Sequence, residues 1–143
     1  MAQEMRSPIE SGCPDAFQYM HPVMRKNYGQ WAYHEDPQPG VLVHVSNNGD
    51  KIWTVRAGTQ RILDVYTLRT LCDIGDKYGE GYIHFTIRSN IEYQVADEAK
   101  VEPLIKALRD AGFIVGGTRN SVAMISHTQG WLHCDIPGTD ASG

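Results

Sequence analysis

The chain has 143 residues, 41% of them hydrophobic, with 13 Lys and Arg against 17 Asp and Glu and a formal net charge of −4. That length supports one modest core and favours a single domain. The acid excess argues against a generic nucleic-acid binder, which carries a basic face, so any anionic ligand must be held by a local cluster of cations.

No segment approaches the roughly 20 apolar residues of a membrane span, and Met1 to Asp15 is polar, with acidic residues and no apolar centre of an export signal. Cys13, Cys72 and Cys134 show no framework spacing, so the expectation is a reduced, cytoplasmic protein.

Residues 1–40 hold five of the seven prolines and no steady period, which reads as an extended N-terminal arm. Tyr19, Met20, Val23, Met24, Tyr28, Trp31 and Tyr33 make it stickier than a disordered tail, so it should pack on something, a partner subunit included. Val41 to Val45 and Lys51 to Ala57 are β-rich runs flanking an Asn-Gly turn signal, the pattern of a hairpin. Asp64 then caps a helix with Val65, Leu68, Leu71, Cys72 and Tyr78 on its apolar stripe and Gly79 as its stop.

Tyr82 to Asn90 and Ile91 to Val95 alternate as one or two further strands with a break near Ser89-Asn90. Alternation places Ile83, Phe85 and Ile87 on a core face, and His84, Thr86 and Arg88 on the other. Asp97 caps a second helix carrying Val101, Leu104, Ile105, Leu108 and Ala111 inward and ending at Gly112, with Pro103 marking a kink or the start of regular helix. Ile114 to Thr118 reads as a short strand entering a glycine-rich turn, beyond which periodicity fades. Two successive strand-strand-helix units predict an α+β fold: an antiparallel sheet with two helices on one face.

Four arginines, Arg56, Arg61, Arg88 and Arg119, lie near predicted strand ends and loops. A guanidinium gives bidentate, permanently charged hydrogen bonds to carboxylates and oxyanions, and Arg56 would lie beside Arg88 if their strands are neighbours. The alternative for each is a solvated surface charge. His127, His133 and Cys134 are metal-ligand types, although their spacing fits no closed zinc motif. His21, His34 and His44 read as hydrogen-bonded or exposed imidazoles, and Cys72 as a small core residue. A Cys134–His127 nucleophile pair lacks an orienting third group. Gly116-Gly117-Thr118 is too short for a phosphate-binding loop.

The runs Gly40 to Val45, Trp53-Thr54-Val55-Arg56, Cys72-Asp73-Ile74, Phe85 to Glu92 and His127 to Gly143 resemble, in order, the N-terminal part of the beta subunits of dissimilatory sulfite reductases, within the siroheme nitrite/sulfite reductase family. The resemblance spans roughly residues 20–143. It implies a ferredoxin-like half-domain over residues 41–115, after the 1–40 arm, and the truncated start of a siroheme and iron–sulfur domain over 116–143. It further implies an α2β2 oxidoreductase, with the alpha subunit and a small sulfur-carrier protein as partners, interconverting sulfite and sulfide at siroheme coupled to a 4Fe-4S cluster. Wording from Gly130 to Thr139 is similar to the form found in sulfur oxidisers, which run the chemistry in reverse.

By the same resemblance, Cys134 is a cluster ligand, and its companion cysteines lie downstream of these residues. Arg88 and Arg119 match the basic positions around the macrocycle and its oxyanion and take the catalytic role. Thr86, Asn90, Thr118, Asn120, His127 and Gln129 join them in holding the cofactor, with Arg56 and Arg61 as weaker members of the carboxylate shell. The chain by itself is expected to be an inactive N-terminal fragment. The competing expectation is a small α+β ligand-binding or interaction module without a redox cofactor, in which Cys134 is a free thiol.

Overall fold

The computed structural model describes residues 15–60, 62–125, 130, 135–136 and 138. A 3-10 turn at Ala16–Tyr19 and a short helix α1, Pro22–Lys26, lead into β1 (Trp31–Gln38), β2 (Val41–Ser46) and β3 (Lys51–Gly58). Helix α2 (Val65–Tyr78) is followed by β4 (Tyr82–Phe85) and β5 (Asn90–Val95). A second 3-10 turn at Glu98–Lys100 then runs into α3 (Val101–Asp110). The strands form one antiparallel sheet in the order β1-β2-β3-β5-β4. The ferredoxin-like α+β architecture expected from the sequence is what the chain adopts.

The hairpin signal is realised as read: Val45 pairs with Lys51, and Gly49 takes the positive φ of 86° that closes the turn. One sheet face contributes Val41, Val55, Ala57, Ile91, Tyr93 and Val95 to the core. Leu71 and Ile74 of α2 and Val101, Leu104, Ile105 and Leu108 of α3 cover them, and Val115 closes one end. Gly75 lets α2 approach the sheet, since a Cβ there would stand 3.2 Å from Tyr93 Cε1. The Tyr93 hydroxyl donates to the Leu71 carbonyl at 2.9 Å, and burial pushes its ionisation well above the usual range.

The first long helix starts at its expected cap, whereas the Asp97 cap serves the 3-10 turn and α3 itself begins after Lys100 with no side-chain cap bond. Asp64 accepts from Thr67 N at 2.6 Å, a bond that holds its carboxyl below the ordinary value. Asp97 accepts from Ala99 N at 3.0 Å, starting the 3-10 turn that precedes α3. Pro103 falls in the first turn of α3, where a missing N–H breaks no hydrogen bond, so it marks a helix start and no kink.

Five expectations need correction. Ala111, read as facing inward, is the exposed C-cap of α3, one residue past the helix that carries the buried stripe. Cys72 is exposed and does not join the core; the buried stripe runs Leu71, Ile74, Gly75 and partly buried Tyr78, while Val65 and Leu68 also face outward. Helical rotation of about 100° per residue turns Cys72 off the seam that Leu71 defines. Ile87 and Phe85 are exposed, because β4 ends at Phe85 and the chain turns over Thr86 to Ser89 before β5. Arg88 therefore sits in that turn and not on a strand face, and β5 separates β4 from β3. Residues 31–38, read as part of the extended arm, form β1 and pair with β2 at the sheet edge. Two register irregularities, between Trp31 and Tyr33 and between Glu35 and Gln38, obscure its alternation.

The rest of the described arm folds back on the sheet. His21 is buried; its Nδ1 accepts from Val23 N at 3.1 Å, which leaves the proton on Nε2 to be donated to Glu80 Oε2 at 2.7 Å. Buried Asn27 donates to Asp50 Oδ2 at 2.9 Å and accepts from Asn48 Nδ2 at 3.0 Å. Tyr19, Tyr28 and Tyr33 stay exposed.

Candidate functional site

Four chain segments meet at one end of the sheet: the β1–β2 turn, the end of β3, the β4–β5 turn and residues 114–123. Backbone bonds fix the last of these. Gly58 N donates to the Ile114 carbonyl at 2.8 Å, and Gly116 N to the Arg56 carbonyl at 3.1 Å. Ala57 and Val115 form an isolated bridge, which is all that remains of the short strand expected there. Gly58 has to lack a side chain, since a Cβ would come within 2.1 Å of the Ala123 carbonyl oxygen.

Thr118 is the junction of this assembly. Its buried hydroxyl accepts from Gly40 N at 2.8 Å and donates to Asp36 Oδ1 at 3.2 Å. Arg119 follows at a positive φ of 48° and sets its Nε 3.3 Å from Asp36 Oδ2. The rest of its side chain is open, at 59% exposure, and Asn120 is exposed beside it in sequence.

The facing turn presents Thr86, Arg88 and Asn90. Thr86 Oγ1 accepts from Asn90 N at 3.1 Å, and Thr86 N donates to the Asn90 carbonyl at 2.8 Å. Ser89 takes a positive φ of 58°, and Arg88 projects exposed, with no hydrogen bond or ion pair to the described residues. Asn90 is buried, and its Oδ1 has no partner among the described residues. The two turns touch at Gly117, where a Cβ would lie 3.4 Å from Asn90 Nδ2 and 2.9 Å from Arg56 Cδ.

Arg56 braces this contact from inside. Its Nη1 donates to the Gly117 carbonyl at 2.8 Å, and its Nε donates to Glu92 Oε1 at 2.6 Å, with Nη2 bonded to the same oxygen. Arg56, Glu92 and His84 stand abreast on β3, β5 and β4, so the carboxylate is a rung between a guanidinium and an imidazole. Arg56 does not lie beside Arg88, since β5 intervenes. His44, farther along this sheet face, is half-buried, and burial lowers its pKa despite the opposing pull of Glu92.

The structure thus gathers Arg56, Asn90, Thr118 and Arg119 around Gly117 and sets Thr86 and Arg88 in the adjoining turn. Arg61, His127, Gln129, His133 and Cys134 lie outside the described residues. Among the described residues no group of three or more His, Cys, Asp or Glu is placed to hold a metal, and no helix is long and apolar enough to cross a membrane. Sequence reasoning missed Glu92 and Asp36. The available signal for Glu92 was an acid set between Ile91 and Tyr93 in a strand that the structure buries almost throughout, a position that calls for a cationic partner.

Residues 44–111 match the family described as the nitrite/sulfite reductase ferredoxin-like half domain. Curated relatives agree. A protein of Archaeoglobus fulgidus named sulfite reductase, dissimilatory-type subunit beta, is 50% identical over 131 residues, 87% of this chain and 36% of the relative. The protein of the same name from Nitratidesulfovibrio vulgaris is 48% identical over 133 residues, 88% of this chain and 35% of its own length. That from Megalodesulfovibrio gigas is 41% identical over an alignment of 150 positions, covering 99% of this chain and 57% of the relative. The chain therefore spans between about a third and somewhat over half of the length of these relatives.

Proposed function

We propose that this chain, which belongs to the family of dissimilatory-type sulfite reductase beta subunits, builds one wall of a siroheme and 4Fe-4S centre at which sulfite and sulfide are interconverted. The observation that carries the reading is the meeting of two motifs, Thr86 to Asn90 and Thr118 to Asn120, in adjoining turns at one sheet end, joined where Gly117 lies against Asn90.

The donor set suits an acid-rich tetrapyrrole. Arg88 and Arg119 offer guanidinium edges, and Asn120 an exposed amide, the chemistry that binds carboxylates and oxyanions. Asn90 Oδ1 is itself an acceptor, so it suits a water or N–H donor at the ligand's margin and not a carboxylate. Arg56, occupied by Glu92 and Gly117, supports the wall from behind. Siroheme and the cluster, when bound, supply the multi-electron redox chemistry; the chain's part is to hold carboxylates, orient the oxyanion and offset charge. Cys134 is the proposed cluster ligand of this segment, with Thr86, Asn90, Thr118, His127, Gln129 and Arg61 in the surrounding shell.

The reading includes an alpha subunit in an α2β2 assembly, a small sulfur-carrier protein, and a cytoplasmic location where redox poise sets the direction. It is tested by copurifying the full-length subunit with its alpha partner and recording the visible spectrum. Siroheme and iron–sulfur bands are expected, and their absence would favour a cofactor-free interaction module. In that complex Cys134→Ser should lower cluster iron; iron content equal to wild type would remove Cys134 from the ligand set.

A further inference from the structure

We propose that His84 is a proton-relay residue for the sulfite chemistry, held in one tautomer by Glu92; this rests on the function proposed above. Glu92 is a nearly buried carboxylate, its side chain 10% exposed, whereas the His84 side chain is 58% exposed. Glu92 Oε1 is occupied by Arg56, and Oε2 faces His84 Nδ1 at 3.2 Å. An ionised carboxylate only accepts hydrogen bonds, so the proton of the neutral ring sits on Nδ1 and the Nε2 lone pair is left open on the exposed side.

Charge balance separates this arrangement from an ordinary surface ion pair. Arg56 already neutralises Glu92, so His84 is not required to compensate a buried charge. The ring can gain and lose a proton without leaving Glu92 unpaired. Other titratable or charged groups on that sheet face are His34 on β1, His44 on β2, Arg56 on β3, Glu92 on β5 and Tyr82 on β4 itself. Only Glu92 is bonded to the ring among the described residues. His84 also stands two residues before Thr86 and four before Arg88, on the strand that leads into the proposed anion-holding turn.

The chemistry has a demand for protons. Counted from bisulfite, reduction to hydrosulfide takes six electrons and six protons and releases three waters, the electrons coming from a low-potential electron-carrier protein. In each delivery the Nε2–H bond of the imidazolium breaks, the proton passes toward a departing oxygen, and the ring is reprotonated from solvent.

The test uses the cofactor-loaded complex with His84→Gln, a change at an exposed position. The kcat for sulfite reduction should fall about tenfold or more at the acidic to neutral pH where wild type carries the imidazolium, the deficit closing toward alkaline pH, with KM for sulfite unchanged and added imidazole restoring part of the rate. Independently, ¹⁵N spectra of the histidine-labelled chain should show the Nδ1–H tautomer for His84, and Glu92→Gln should erase that preference. A His84→Gln pH profile that superimposes on wild type, or an Nε2–H tautomer in the unaltered chain, overturns the relay and leaves the proposed function standing. A wild-type complex lacking siroheme bands overturns both.

Discussion

Gly117 shows how much a single backbone position carries. It combines a φ of +84° with a 2.9 Å limit to Arg56 Cδ, so any Cβ meets both conformational and steric resistance. Gly117→Ala should cost about 1–3 kcal/mol, read as a lower thermal midpoint. It should also loosen the Arg56 bond to the Gly117 carbonyl, and a midpoint within error of wild type would show that the turn reshapes freely. Arg119, at a positive φ with a non-glycine side chain, pays a similar conformational cost. A residue held so is often one whose side chain is needed in place, and here Asp36 fixes it.

At the scale of elements, Glu80 ties three segments together. It accepts from His21 of the folded-back arm, from Ala96 N and Asp97 N after β5, and from Lys100 at the start of α3, at 2.7 to 3.3 Å. Burial pushes its pKa up, but these bonds outweigh burial and hold it below the ordinary 4.5. A depressed folded pKa contributes stability above the unfolded value, lost as pH falls through it. Glu80→Gln should therefore cost about 1–3 kcal/mol at neutral pH and flatten the decline of stability below about pH 4.5, both measurable by denaturant titration. An unchanged acid limb would mean the carboxylate is not the latch. The two core helices and the β2–β3 hairpin were legible because caps, periodicity and the Asn-Gly turn all point the same way. β1 was not, because its register shifts and its Asp36-Pro37 break the alternation, and the alternation around Phe85 to Ile87 misled because it runs on through a turn. The Arg88 and Arg119 turns were visible as motifs, but Glu92 and Asp36 act through partners 36 and 83 positions away, the first brought together by sheet register and the second by the loop that Thr118 anchors.

For the whole molecule, a net charge of −4 coexists with two outward guanidiniums concentrated at one sheet end. Because Arg88 and Arg119 are exposed, Arg88→Ala and Arg119→Ala should change stability by no more than about 0.5 kcal/mol, yet, on the function proposed above, lower the siroheme content of the copurified full-length complex. Equal siroheme in both variants would remove them from the carboxylate shell. The borders of the sheet have a separate consequence. On one side β1 is kinked by two slips in pairing and carries Glu35, Asp36 and Pro37; on the other, β4 is four residues long. Neither margin offers a long straight rail to another copy, so polymerisation through strand addition is discouraged.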